Sequence, residues 1–199
     1  MDNYLKIVQQ NLKDLYANLP DDLAQRIPAT RKGKIFSFQA FGRDCRISPG
    51  GVELQGDSHD SILSILISLY ARSVTMDLPL IIPFRAYKEF PDTAPYAAAF
   101  VTHTEQVLTP HVETIRQKAA RIVEALDGTM SPKGAGGDFS ILVRPLPKIC
   151  LCYIFYEADE DFPASVTCLF SNNANLFLPN DALADVGEYT SKTIIDLVS

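Results

Sequence analysis

Ile149-Cys150-Leu151-Cys152-Tyr153-Ile154-Phe155-Tyr156 is the stretch on which the fold turns. Both of its alternating faces are apolar, and it carries no charge. A strand of that kind belongs inside a sheet covered on both sides, so a central, buried strand is expected. Directly after it comes Glu157-Ala158-Asp159-Glu160-Asp161-Phe162-Pro163, with four carboxylates in seven residues. The strand end thus delivers clustered negative charge to one rim of the molecule. Such a rim suits a cation or a basic partner, and an ordinary solvated hairpin tip has the same composition.

Working outward, Phe139–Val143, Ser165–Phe170 and Asn175–Leu178 also read as strands, with Pro145-Leu146-Pro147 turning the first corner. They make a C-terminal meander over 138–179, followed by a helix over 180–198 capped by Asn180 or Asp181. Upstream the hydrophobic period is again two. Phe36 and Phe38 alternate with Ser37 and Gln39, and the pairs Cys45/Ile47 and Val52/Leu54 follow. Turn sequences at Phe41-Gly42-Arg43-Asp44 and Pro49-Gly50-Gly51 divide this region into a three-stranded meander over 33–56.

The remaining segments are helical or loop. Tyr4, Leu5, Val8, Leu12 and Leu15 place a helix over 3–18, ended by Pro20, with a short turn over 21–25 behind it. Asp57 or Ser58 is expected to cap a helix carrying Ile62, Ile65, Leu66, Leu69 and Tyr70 on one stripe. Residues 78–91 read as a loop with one extended piece, Ile81-Ile82. A helix from Pro95 to about Leu108 is followed by a second, with Thr109 as cap and Pro110 as first residue. Leu108, Val112, Ile115, Ala119, Ile122 and Leu126 form its apolar seam, closed by Gly128. The whole predicts a single α+β domain over 1–199: two antiparallel β-meanders packed with four to five helices.

Composition excludes several classes. The formal charge of −6 disfavours a nucleic-acid backbone as partner. No segment reaches the ~20 apolar residues that span a bilayer, so no membrane is expected. The N-terminus lacks a basic n-region and an apolar h-region, and the four cysteines show neither disulfide density nor a C-x-x-C. A cytoplasmic setting is expected.

Several motifs together carry a family resemblance: Asp22-Leu23-Ala24-Gln25-Arg26, Pro145-Leu146-Pro147, Asp159-Glu160-Asp161-Phe162-Pro163-Ala164, Leu169-Phe170, Phe177-Leu178-Pro179-Asn180-Asp181 and Gly187-Glu188. With these the chain resembles the uncharacterised prokaryotic family called domain of unknown function 3786. The resemblance implies a domain common in anaerobes and assigns no reaction. Some relatives carry an extra cysteine-rich iron–sulfur segment; this chain has none, so no iron–sulfur cluster is expected. Where the family usually has an aspartate after Leu-Phe, this chain has Ser171.

The candidate ligand or partner-binding residues are Asp138, Asp159, Glu160 and Asp161, with Asp159 and Asp161 the candidate metal ligands. Alternate side chains of an extended loop share a side, and carboxylate oxygens suit a hard divalent cation. Against this stand the missing D-x-D-x-D-G loop and Pro163, and the expected alternative is a hairpin tip whose Phe162 plugs the core. Asp138 ends a glycine-rich loop, 128–137, that fails the phosphate-loop pattern; an Asx-turn at the strand start is its expected role. If the hairpin centres near Glu160, Cys152 faces Cys168 and shares a side with Cys150, which would gather three thiols; buried cysteines acting as small hydrophobes are the favoured reading. No nucleophile–base pair is visible, and the three histidines lack metal-site spacing. The leading expectation is a non-catalytic binding or accessory module, serving a protein partner such as a metalloprotein, or a homo-oligomer. The rival is a metal-dependent enzyme built on the four carboxylates.

Overall fold

The computed structural model describes residues 3–56 and 61–199. Its order is α1 (Asn3–Ala17), α2 (Leu23–Arg26), β1 (Thr30–Lys32), β2 (Ile35–Ala40), β3 (Arg43–Ser48), β4 (Gly51–Leu54), α3 (Ile62–Ser73) and β5 (Arg85–Ala86), then α4 (Ala97–Phe100), α5 (Val112–Ala125), β6 (Thr129–Met130), β7 (Phe139–Leu146), β8 (Ile149–Tyr156), β9 (Ser165–Phe170) and α6 (Asn180–Val198). Two antiparallel sheets result, ordered β1-β2-β3-β4 and β5-β9-β8-β7-β6. The α+β expectation holds.

The octapeptide is β8, the middle strand of its sheet, and every residue of it but Tyr156 is buried. One face of that sheet packs on α5 and α6, joining Leu151, Tyr153 and Phe155 to the main core. The other face buries Leu142, Cys150, Cys152 and Ile154 beneath Ile81, Phe84 and Ala135. Covering on both sides is what a strand without polar positions requires.

The differences from expectation are local and have physical causes. β1 adds a fourth strand to the first sheet through a turn at Gly33, whose φ of +63° suits glycine. Its three residues are all exposed, so no hydrophobic alternation announces it. Asn175–Leu178 is not a strand: Ala174–Leu176 forms a 3-10 turn instead. Nor is Ile81-Ile82 a strand; the short edge pairing falls at Arg85–Ala86, against Phe170 and Leu169. Asn173 ties the intervening loop down, its Oδ1 accepting from Leu80 N at 2.7 Å and its Nδ2 donating to Leu78 O at 2.9 Å.

The α3 cap is Ser61, whose Oγ accepts from Ser64 N at 3.1 Å; Asp57 and Ser58, like His59, lie outside the described residues. Its buried stripe is rotated to Leu63, Leu66, Ile67 and Tyr70, leaving Ile62, Ile65 and Leu69 partly exposed. Between α4 and α5 the chain does not break at Thr109. It winds on through a π-helical turn, Val101–Glu105, and a 3-10 turn, Gln106–His111, that contains Pro110. Proline has no N–H and clashes with the carbonyl four residues back, so regular α-winding is not available there. The expected apolar seam from Leu108 to Leu126 is nevertheless buried throughout.

Candidate functional site

One carboxylate of the acidic segment, that of Asp159, is spent on the segment's own backbone. Asp159 Oδ1 accepts from Asp161 N at 2.9 Å and from Phe162 N at 2.7 Å, an Asx-turn that closes the loop. Asp138 sits beside it, as the order of the strands requires. Its Oδ2 accepts from Glu157 N at 2.7 Å, and its own N–H donates to Phe155 O at 2.9 Å. Glu157 pairs with Arg116 of α5. Glu160 and Asp161 are exposed. Phe162 does not plug the core; it is 70% exposed. Among the described residues no group of three or more His, Cys, Asp or Glu side chains is arranged to hold a metal ion.

The thiols do not gather either. The register pairs Tyr153 with Cys168 and Cys152 with Leu169. The hairpin centre therefore lies half a residue past Glu160, and that single step moves Cys168 to the opposite face from Cys150 and Cys152. All four cysteines are buried and free. Burial pushes the Cys45 and Cys152 thiols up to about 12, and it raises Cys150 and Cys168 as well. They behave as small hydrophobes.

A cleft of about 340 Å³ opens elsewhere, between α3, the α4–π-helical stretch and α6. Ile65, Leu66, Leu69, Phe100 and Ala182 give it an apolar lining. Polar groups come from two elements: His103 and Thr104 from the π-helical turn, and Asp181, Asp185 and Glu188 from α6. The three acids recur at helical spacing, so one side of α6 presents them together. Asp181 Oδ1 accepts from Ala182 N at 2.9 Å, and Glu188 pairs with Lys192 at 2.6 Å. The carboxylate of Asp185 has neither hydrogen bond nor ion pair among the described residues. Partial desolvation raises its carboxyl above the ordinary 3.8, with Glu188 and Asp181 adding to the effect and Lys192 opposing it.

Thr104 lies fully buried behind the cleft with its side chain against Gly187, and its Oγ1 has no hydrogen-bond partner among the described residues. It is held there by its neighbours. Thr104 O accepts from Ser191 Oγ at 2.7 Å, and Ser191 Oγ lies 3.1 Å from the hydroxyl of Tyr153. The central strand is thereby tied through α6 to the π-helical turn. Gly187 permits the approach: a Cβ there would fall 2.6 Å from Phe100 Cε2 and 3.0 Å from Thr104 Oγ1.

On the other flank of the same turn, Glu105 lines a cavity of about 240 Å³ with Lys88, Phe100 and Cys168. Its Oε1 accepts from Cys168 N at 2.8 Å. Burial raises the Glu105 carboxyl above its ordinary 4.5, while that hydrogen bond and Lys88 hold it down.

Sequence reasoning missed His103, Thr104, Glu105 and Asp185 as site residues, and it met Asp181 and Glu188 only as parts of motifs. The spacing of Asp181, Asp185 and Glu188 on one predicted helix was the signal available. Nothing local marks Thr104, because its role depends on an irregular turn meeting a distant glycine.

No described helix is long and apolar enough to cross a membrane. No curated protein and no solved structure matches the chain. Residues 20–193, most of its length and inclusive of the α6 acids, match the family described as Domain of unknown function (DUF3786). The chain belongs to that family.

Proposed function

We propose that this chain is a non-catalytic binding module whose ligand site is the cleft between α3, the π-helical turn and α6. One observation carries the reading: a concave space of about 340 Å³ with an apolar lining from three elements, where His103, Asp181, Asp185 and Glu188 converge. The shape agrees, since binding sites combine an apolar wall with a few placed polar groups.

Binding rather than catalysis is supported by the state of the reactive groups. The thiols are buried and held protonated. Asp138 and Asp159 accept backbone N–H groups in the turns at the end of the central strand. A fragment screen followed by amide chemical shifts tests the proposal. Hits are expected to shift residues 101–105 and 181–188, and Ala184→Arg, at a partly buried position of the cleft wall, is expected to weaken them by filling the opening. Hits that cluster elsewhere, or a screen without hits, would defeat it.

A further inference from the structure

We infer that the strap over 75–84 is the contact between two copies of this chain, which pair about a two-fold axis. The strap lies outside any helix or strand and roofs the second face of the five-stranded sheet. Ile81 and Phe84 turn inward, onto the cluster of Leu142, Cys150, Cys152 and Ile154. Met76, Leu78, Leu80 and Ile82 face the other way and are between 48% and 78% exposed. Single exposed apolar residues are ordinary, whereas four large ones within seven residues mark a contact surface.

The backbone beneath this stripe is pinned. Lys148 Nζ donates to Thr75 O at 2.7 Å and to Asp77 O at 2.9 Å. Asn173 holds Leu78 O and Leu80 N. Asn172 N donates to Leu80 O at 2.7 Å, and its Nδ2 donates to Pro83 O at 2.9 Å. Hydrogen bonds thus hold the strap from the protein side while its apolar side chains stay on the outside. Docking such a preordered stripe has little backbone entropy left to remove.

Area is the first ground for a second copy as the occupant. At about 30 Å² per aliphatic carbon, the exposed fractions of the four side chains amount to roughly 300 Å². A standard interface removes about 800 Å² from each partner, a little over half of it apolar. The stripe therefore supplies about two-thirds of the apolar area that a dimer needs from each copy. Charge is the second ground. The net charge of −6 sets two copies against each other over most of the surface. Between residues 74 and 84 the one charged side chain is Asp77. Its Oδ2 accepts from Thr75 Oγ1 at 2.7 Å, and the Lys148 ammonium sits on its main-chain carbonyl. Self-association meets least repulsion here. A two-fold axis sets the stripe against itself, so assembly closes at two.

Sedimentation velocity on the full chain, from micromolar to hundreds of micromolar, tests this. The native chain is expected to pass from monomer to dimer. Leu78→Glu and Leu80→Glu, both at exposed positions, bring like charges together and are expected to weaken the dimer at least about tenfold. Phe162→Glu, at a similarly exposed position on the acidic loop, is expected to leave it unchanged. Mixing Leu78→Glu with Leu78→Lys, each weakened alone, is expected to restore association, which a misfolded variant does not do. A chain that stays monomeric, an assembly larger than two, or a dimer indifferent to both leucine variants would overturn the inference. Equal weakening by Phe162→Glu, or no restoration in the mixture, would do the same. A monomer that instead binds phosphatidylcholine vesicles through Leu78 would assign the stripe to a lipid surface and overturn it as well.

Discussion

Thr104 and Glu105 are adjacent in the chain, yet Thr104 lines the cleft against α6 and Glu105 lines the cavity against β9. Phe100 separates the two spaces and contributes to both. A π-helical turn distributes side chains differently from an α-turn, and here it presents two polar residues to two apolar surfaces.

Glu105 therefore gives the protein a pH dependence of known sign. Its folded carboxyl titrates above the ordinary 4.5, so the protonated form favours the fold. The stabilising contribution is complete below pH 4.5 and is lost as pH rises through the raised value. Glu105→Gln keeps an acceptor for Cys168 N and removes the charge. Thermal unfolding from pH 4 to pH 8 is expected to show the variant gaining on the native chain as pH rises. A constant difference across that range would contradict the assignment.

Gly187 lies in the middle of α6, where alanine would ordinarily help the helix by about 1 kcal/mol. The contact with Phe100 reverses this. Phe100 stacks on Tyr87 at 4.6 Å and packs against Phe170 at 5.7 Å, so its ring has nowhere to go. Overpacking costs about 1–3 kcal/mol. Gly187→Ala is expected to lower stability and to reduce ligand binding in the cleft. A raised melting temperature would show that the π-helical turn yields easily.

Thiol chemistry offers a test of the burial on both faces of the β8–β9 pair. With Cys150 and Cys152 on one buried face and Cys168 on the other, all four thiols should resist a disulfide reagent at pH 8 in the native protein. Stoichiometric labelling is expected only after unfolding. Rapid modification of any cysteine in folded protein would contradict the burial described.

Asp159 and Asp161 look alike in composition and differ in what they hold. Asp159→Ala removes an acceptor from two backbone N–H groups and is expected to cost about 1 kcal/mol. Asp159→Asn retains the carbonyl oxygen and should cost less than half of that. Asp161→Asn, at an exposed side chain, should leave urea midpoints unchanged. Equal effects at the two positions would show that the loop is held by something other than its Asx-turn.

Hydrophobic pattern carried much of the architecture. The unbroken apolar run of β8 required a strand covered on both faces, and the seam from Leu108 to Leu126 required a helix against the core. Both are properties of one segment, readable without its neighbours. Three features of the site were not local in this sense. The half-residue offset of the β8–β9 hairpin decided which side Cys168 faces, and period two makes one step a complete reversal. The segment Val101–Glu105 wound as a π-helical turn, with Thr104 on one flank and Glu105 on the other. Gly187 then let that turn approach α6 closely enough to bury a hydroxyl beside a row of acids. The sequence by itself determined which segments are strands or helices because apolar spacing has a fixed period in each. Only the tertiary structure decided where chemistry gathers, because contact between residues 104 and 187 depends on packing across the whole domain.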